Sequence, residues 1–392
     1  MDRRPSPNVA AARSLYSWLL AAAACAAAAC ILTSFPAHAS SPRADSLTEP
    51  FRAAAFSVAQ QFDRRRQSRL DDALKREGDA LVEMTDHAVN GRQVPSDFRM
   101  QWRNDFFKAK PGTFVPFTVT IERLVPPSPG ALVYVRVVPR RGAVGRRAAD
   151  AFAYETIFSV EPELLSEQAI RIRRGFAVAP GSYTVYVALR ERPADLLARS
   201  SRDRRAAVLI QDLEVPDFWV DGLSTSTVML ADRVEELAAP APFERLEEDP
   251  YVVGANRIHP AVGTMFRRGR ELIVVFLVYN PSVTPDKHFD VQVDYHLYRK
   301  IRQGEVPGDT PGGARPAALP GERYVTRTNP QRFNPAMMGP HFDPAGGQPV
   351  LAGQGILLSG FEAGEYRLGI TVTDLLSAKT VSRDVAFTVI GS

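Results

Sequence analysis

Apolar residues in the first quarter of the chain recur with the period of an amphipathic helix, and from residue 98 onward the period falls to two. Ser68 with Asp71 resembles a capping box, and Asn90-Gly91 supplies a C-terminal stop. The pattern therefore predicts a helix before residue 91 that packs one face on another element. Its apolar positions are Leu70, Ala73, Leu74, Leu81, Met84 and Ala88.

The alternation that follows is typical of β-strands. No helical pattern of 10–15 residues separates the runs, which favours antiparallel sandwiches over βαβ units. The first runs are Phe98 to Trp102, Val115 to Ile121, 132–138, 152–160, 169–176, 182–190 and 206–215. The second set lies near Leu223 and at 271–279, 289–298, 355–361, 365–374 and 381–390.

Two segments help to organise the second set. The run Ile273–Val278 is apolar at every position, as expected of a central strand that is covered on both faces. Ala238–Pro242 has the composition of a stiff connector between the two sets, although it falls after the first strand of the second set.

An approximate internal repeat indicates two similar domains. Gly175-Phe176 precedes Tyr183, and Gly360-Phe361 precedes Tyr366. In both copies the Tyr begins a penultimate strand, where its hydroxyl could bond to the backbone across a corner, as in Ig-like sandwiches. We predict a mainly β protein with two antiparallel Ig-like or fibronectin-like β-sandwich domains after an N-terminal helical segment. The predicted bounds are 40–92 for the mobile start and helical segment, 93–221 for the first sandwich and 222–392 for the second.

The N-terminus has the pattern of a secretory signal peptide over residues 1–39. Three arginines precede the apolar run Leu15–Phe35, and Ala37-His38-Ala39 follows as a cleavage site. We therefore predict an exported protein, periplasmic or secreted, that is cleaved after Ala39. The alternative is an uncleaved anchor, because about 20 apolar residues can span a bilayer.

Composition excludes several function classes. The 392 residues are 45% hydrophobic and 23% charged, which is ordinary for a globular protein and excludes a mainly disordered chain. A formal net charge of +4 is too small to indicate nucleic-acid binding. Cys25 and Cys30 both lie in the predicted signal, so the mature chain would lack disulfides, a thiolate nucleophile and Cys-ligated metals. We predict no cofactor, no nucleic-acid partner and no integral membrane span after cleavage.

No sequence motif specifies a reaction. The G-x-S-x-G, G-x-x-x-x-G-K, G-x-G-x-x-G and H-E-x-x-H patterns are all absent from the sequence. We therefore predict no catalytic residue.

One predicted strand has a polar face that could supply metal ligands. Residues two apart along a strand are separated by about 6.6–6.8 Å, so only adjacent pairs on that face could share an ion. A solvated face of an antiparallel sheet explains the alternation more simply. We predict no metal site and retain Asp294 and His296 as the ligands that one would use. The polar positions are His288, Asp290, Gln292, Asp294 and His296.

The segment 302–353 is a long loop rich in Pro and Gly. Long loops in compact domains tend to be functional or disordered, and the apolar residues of this one predict order over 322–345. It is either a lid packed on its own sandwich or between the domains, or a partner-binding surface. The partner-binding residues would be Tyr324, Phe333, Met337, Met338 and Phe342.

Five stretches carry a family resemblance: Ala88–Gly91, Trp102–Phe106, Pro180–Leu189, Leu213–Trp219 and Thr328–Gln331. They resemble a group of uncharacterised secreted bacterial proteins of acidobacterial type, and the likeness covers most of residues 80–392.

The segment around Val215-Pro216-Asp217-Phe218 is also similar to the C-terminal β-rich regions of bacterial von Willebrand factor A-related and GWxTD-domain proteins. The A-domain pattern D-x-S-x-S is not met, because Leu223 and Thr225 replace its serines, and GWxTD is absent. The resemblance implies an envelope location and β-sandwich architecture, and it implies no reaction.

The sequence thus predicts a non-enzymatic secreted or cell-envelope module for interaction or structure, with an envelope protein or polymer as partner. The alternative is an envelope hydrolase or metal-dependent enzyme with a site at the domain interface.

Overall fold

The computed structural model describes residues 72–110, 112–122, 130–140, 153–160, 169–192, 204–242, 245–301, 318–339 and 341–391. The predicted signal peptide, the capping-box residues Ser68 and Asp71, and part of the predicted loop lie outside these ranges.

The described chain is mainly β, as the alternation predicts. One long helix, α1, covers 72–89 and ends at Asn90-Gly91, where Gly91 has a φ of 67°. The strands of the first half are β1 (Arg99–Asn104), β2 (Phe107–Lys108), β3 (Thr113–Glu122), β4 (Ala131–Pro139), β5 (Tyr154–Val160), β6 (Ala169–Val178), β7 (Gly181–Glu191) and β8 (Ala206–Val215).

The second half has shorter strands between its long ones. They are β9 (Ser224–Thr225), β10 (Met229–Glu236), β11 (Val252–Val253), β12 (Asn256–Pro260), β13 (Met265–Arg267), β14 (Glu271–Tyr279), β15 (Val291–Lys300), β16 (Glu322–Arg327), β17 (Gln331–Phe333), β18 (Val350–Leu357), β19 (Gly364–Asp374) and β20 (Thr380–Ile390). A single helical turn, α2 (Pro335–Met338), follows β17.

The first sandwich consists of two four-stranded sheets. In sheet I, β3 pairs with β1 and β2 along one edge and with β6 along the other; sheet II has the order β5-β4-β7-β8. Their facing side chains, including Phe117, Val135 and Val187, form one buried core. The outer face of sheet II packs on α1 through Leu81.

The second sandwich consists of two six-stranded sheets. Sheet III has the order β11-β12-β10-β14-β18, with β9 beside β14, and sheet IV has the order β13-β20-β19-β15-β16, with β17 beside β15. All of these pairs are antiparallel except β13 with β20. Phe276, Tyr295 and Ile370 belong to the core between the sheets.

Strand β14 is covered on both faces, as its continuous apolar run predicts. Val274 and Phe276 point into the core between sheets III and IV. Val275 and Leu277 point to the opposite side, into a second apolar cluster that includes Phe107 of the first sandwich. This interdomain cluster joins the two sandwiches.

Both repeated tyrosines bond to the backbone across a corner. The Tyr183 hydroxyl donates to the carbonyl of Ala179 at 2.8 Å, and the Tyr366 hydroxyl donates to the carbonyl of Glu362 at 2.8 Å. Both rings are buried, so the two domains use the same four-residue closure at this corner.

The structure corrects several sequence predictions. Ala238–Pro242 is not the connector between the two sets, because it lies inside the second one, between β10 and β11. The connecting segment is instead 216–223, and the predicted boundary at 221–222 falls within it. The strand expected at 355–361 is also displaced, since β18 begins at Val350 and a 3₁₀ turn follows at Leu358–Gly360.

No helix in the described ranges is both long and apolar enough to cross a membrane.

A buried carboxylate lies where the sandwiches meet. Asp105 is 1% exposed and accepts a hydrogen bond from the Tyr251 hydroxyl at 3.0 Å. Burial raises the pKa of Asp105, against the opposing effects of Arg103 and of the Tyr251 hydrogen bond.

We therefore expect Asp105→Asn to raise the melting temperature at pH 7. A raised pKa in the folded state gives a stabilising contribution that is complete below the unfolded pKa and is lost as pH rises through the folded pKa. The neutral amide avoids that loss and still offers an oxygen to Tyr251. Thermal melts of both proteins between pH 3 and pH 7 would measure the difference, which should shrink toward acid pH. A difference that grows toward acid pH would contradict this account, and Tyr251→Phe serves as the control that removes the donor.

Candidate functional site

The predicted loop 302–353 is partly regular structure in the described residues. β16 and β17 pair with the outer edge of β15, α2 follows them, and β18 begins at Val350. The Asn334 side chain caps α2 by accepting a hydrogen bond from the Met337 backbone N–H at 3.1 Å. The described part of the segment therefore packs on its own sandwich.

This packing removes most of the partner-binding candidates from the surface. Phe333 is 7% exposed within the core of the second sandwich, and Met338 packs against the same core. Phe342 does so too, with its ring centroid 5.5 Å from that of Phe289. Met337, which is 40% exposed, remains available to a partner.

Tyr324, the remaining candidate, belongs to an aromatic group on the outer face of sheet IV. It is half-buried, and its ring centroid lies 5.7 Å from that of Tyr298 and 6.1 Å from that of His296. The expectation of a fully solvated face is therefore wrong at His296, which is 5% exposed, because aromatic neighbours on the same face cover it.

The metal candidates do not converge with further ligands. Asp294 accepts a hydrogen bond from the Gln292 side chain at 2.9 Å. Asp290, another polar residue of the same predicted strand face, is paired with Arg332, which lowers the pKa of Asp290. No three His, Cys, Asp or Glu side chains of the described residues lie close enough together to hold a metal ion.

A groove lies beside α1. It has a volume of about 850 Å³ and lies between α1 and the outer faces of β4 and β5. Its floor is mainly apolar, with Val82 on the helix and Leu132 and Ile157 on the strands. Gly78 lets the helix approach β5, since a Cβ there would lie 3.2 Å from Cδ1 of Ile157.

Ion pairs fix α1 on the sheet and so fix the width of the groove. The buried Arg136 guanidinium lies 2.6 Å from Asp86 of the helix and donates to the Tyr134 hydroxyl at 2.7 Å. Glu77 of the helix pairs with Arg204 at 2.5 Å. Glu155 of β5 lies 3.7 Å from the Arg136 guanidinium, so acidic side chains of both the helix and the sheet offset this buried charge.

The chemistry of this groove suits binding. Burial raises the pKa of Tyr134 to about 12, with a further contribution from a hydrogen bond to Glu155, so the phenol stays protonated at neutral pH. The charged lining residues are Lys75, Asp79, Glu155 and Arg192, which carry both signs. The sequence missed this site because its walls come from segments about 50 to 80 residues apart, and the only local signal was the apolar face of the helix.

Comparisons with known proteins assign no family. No protein-family model and no curated protein matches the chain. Among solved structures, it is similar to red sea bream transglutaminase, with 9% identity, a TM-score of 0.21 and coverage of 78% of this chain and 33% of that one. It is also similar to a Salmonella α2-macroglobulin variant, with 12% identity, a TM-score of 0.21 and coverage of 76% of this chain and 17% of that one. The chain thus spans a third or less of either protein.

Replacement of each of the two loop methionines should affect the melting temperature differently. We expect Met338→Ser to lower the melting temperature, because truncating a packed Met costs about 2–5 kcal/mol when burial is complete and less when it is partial. Met337→Ser should leave it nearly unchanged, because that side chain is exposed. Differential scanning calorimetry of the two single variants measures both effects, and equal losses would refute this assignment of their packing.

Proposed function

We propose that this chain is a non-enzymatic interaction module of the cell envelope that binds an extended apolar segment of a partner protein. The observation that carries the proposal is Ile157, which is 47% exposed in a groove beside a sheet edge.

The edge is that of strand β5. Within the described residues, β5 pairs with β4 alone, so its other side has backbone donors and acceptors that an added strand could use. The outward side chains of β5 are Glu155, Ile157 and Ser159, which line the groove. An extended segment lying along β5 would gain main-chain hydrogen bonds from the edge and bury alternate side chains against Val82 and Leu132.

The rim and the floor favour a peptide over a uniformly charged polymer. An apolar floor supplies the desolvated contact that dominates binding energy, and rim charges mainly set orientation. Lys75 and Arg192 lie among the lining residues with Asp79 and Glu155, so neither sign prevails.

The envelope location rests on the sequence pattern of residues 1–39. We expect mass spectrometry of the protein expressed in an exporting bacterium to find Ser40 at its N-terminus. An intact chain that begins near Met1 and fractionates with membranes would instead support the uncleaved anchor.

The alternative of a hydrolase at the domain interface has no supporting geometry among the described residues. The titratable pair there, Asp105 and Tyr251, is almost fully buried and closed to substrate. A hollow of about 330 Å³ lies nearby, and its charged lining residues are Arg383 and Asp384. Asp384 pairs with Arg367 at 2.7 Å, which leaves it engaged in an ion pair.

The groove is tested by a pair of matched isoleucine variants. Ile157 lies on β5, and Ile210, which is 50% exposed, lies on β8 at the opposite edge of the same sheet. We expect peptides selected from a random phage-displayed library to show alternating apolar residues and to bind Ile157→Asp at least tenfold more weakly than the unaltered protein. Ile210→Asp should bind them normally, as measured by fluorescence anisotropy.

Thermal stability distinguishes a groove that is free to bind a partner peptide from one that the chain itself covers. Both variants should melt at nearly the same temperature as the unaltered protein, because the two side chains are similarly exposed. A drop confined to Ile157→Asp would mean that the chain itself covers the groove, and this result would overturn the proposal. Equal weakening of peptide binding by both variants would also overturn it.

A further inference from the structure

A second site lies at the junction of the sandwiches and shares no residue with the groove. Three segments meet there: the β2–β3 turn, the 216–223 connection and the residue that follows β14, Asn280. The turn is closed by a hydrogen bond from the backbone N–H of Ala109 to the carbonyl of Gly112 at 3.2 Å. Gly112 has a φ of 86°, and a Cβ at this position would lie 2.3 Å from the carbonyl oxygen of Val178, so the turn requires glycine.

The partly exposed indole of Trp219 is hydrogen-bonded to this turn. Nε1 of Trp219 lies within hydrogen-bonding distance of two turn carbonyls, 3.0 Å from that of Ala109 and 2.9 Å from that of Gly112. The Trp219 backbone N–H donates to Oδ1 of Asp217 at 2.8 Å. Although it is held at both places, the side chain is 42% exposed. Because this indole is already ordered and accessible, its side chain loses little conformational entropy when a ligand binds.

Two ammonium groups lie over that indole. Nζ of Lys108 is 4.3 Å from the Trp219 ring centroid, and Nζ of Lys110 is 5.4 Å from it. Lys108 also donates to Oδ1 of Asn280 at 2.6 Å. The structure therefore holds two like charges close together at one aromatic side chain.

Asn280 orders the connecting segment around these charges. Its φ of 53° is a left-handed conformation that Asn tolerates better than most residues. Its Nδ2 lies 3.2 Å from the carbonyl oxygens of Phe218 and Gly222 and 3.4 Å from that of Val220. The amide thus fixes the backbone on both sides of Trp219 while its oxygen positions Lys108.

The local charge balance favours an anion. Burial first and the neighbouring Lys110 second lower the pKa of Lys108, while Asp217 partly opposes them. An anionic group placed between the two ammonium groups would relieve their repulsion and gain charge-assisted hydrogen bonds. A flat or apolar body attached to that group would contact the exposed part of the indole.

We propose that Lys108, Lys110 and Trp219 form a binding site for the carboxylate or phosphate groups of an anionic envelope polymer. Asn280 and the β2–β3 turn are positioning elements of this site. It binds independently of the peptide groove, so the two proposals can fail separately.

Calorimetric titration of the full chain with three probes tests the site. The probes are an oligogalacturonate for sugar carboxylates, a short polyphosphate for phosphates and a neutral maltooligosaccharide. We expect binding of at least one anionic probe, weakened by added salt, and no binding of the neutral one. Which anionic probe binds more tightly identifies the source of the anion.

Variants assign the binding to these residues. Lys108→Gln/Lys110→Gln should reduce affinity for the anionic probe at least tenfold with little change in melting temperature. The charge-matched control Lys287→Gln/Lys379→Gln should bind as the unaltered protein does. Probe binding should also change tryptophan emission, and Trp219→Phe should abolish that change while Trp102 remains in the first sandwich.

Absence of binding by both anionic probes would overturn the proposal. So would equal affinity of the two double variants, because binding would then reflect general positive charge. If Ile157→Asp weakens peptide binding as expected, the groove proposal stands whatever the result with the anionic probes.

Discussion

Sheet III has to bury both of its faces, and the arrangement of the two sandwiches depends on this constraint. β14 presents apolar side chains in both directions, and a strand of this kind exposed to water on one side would lose a large part of its stabilisation. One fully buried large apolar side chain contributes about 1.5–3 kcal/mol relative to an exposed one. Phe276 faces sheet IV, whereas Leu277 is buried in the cluster that includes Phe107 at the tip of the first sandwich. The interdomain contact is therefore a second core and differs from a polar interface that could slide.

Polar groups at this junction specify its geometry. The Phe106 backbone N–H donates to the Thr227 hydroxyl at 2.9 Å, and the Lys108 N–H donates to the Tyr279 hydroxyl at 3.1 Å. Burial raises the pKa of Tyr279, which keeps that hydroxyl protonated. Apolar contacts alone would permit several registers between the sandwiches, whereas directional bonds from Phe106 and Lys108 select one. The same register carries the β2–β3 turn to Trp219, so the anion site is a consequence of how the domains are joined.

Much of the fold could be predicted from the sequence where the determinants are local. Alternation located the long strands, and the uninterrupted run at Ile273–Val278 identified the strand with two buried faces. Short strands such as β16 and β17 were missed, because their pairing with β15 is decided by tertiary contact and their surroundings are rich in Pro and Gly. His296 shows the same limit. Alternation gave its face correctly, but its burial depends on Tyr324, a residue 28 positions away in sequence.

The candidate groove was not predictable in this way, because it arises from a mismatch of dimensions. Strands in a sheet are spaced about 4.8 Å apart, so the outer strands of a four-stranded sheet are separated by about 14 Å, and each adds its own side chains beyond that. A helix with side chains is about 10–12 Å wide. α1 lies over the two central strands of sheet II through Leu81, and it cannot also cover both edges. Ile157 and Ile210 are the residues left exposed on either side, but the described groove forms on the β5 side, where Gly78 brings the helix close to the strand. The hollow therefore follows from placing a single helix on four strands, and the position of one glycine beside Ile157 marks the side on which it lies.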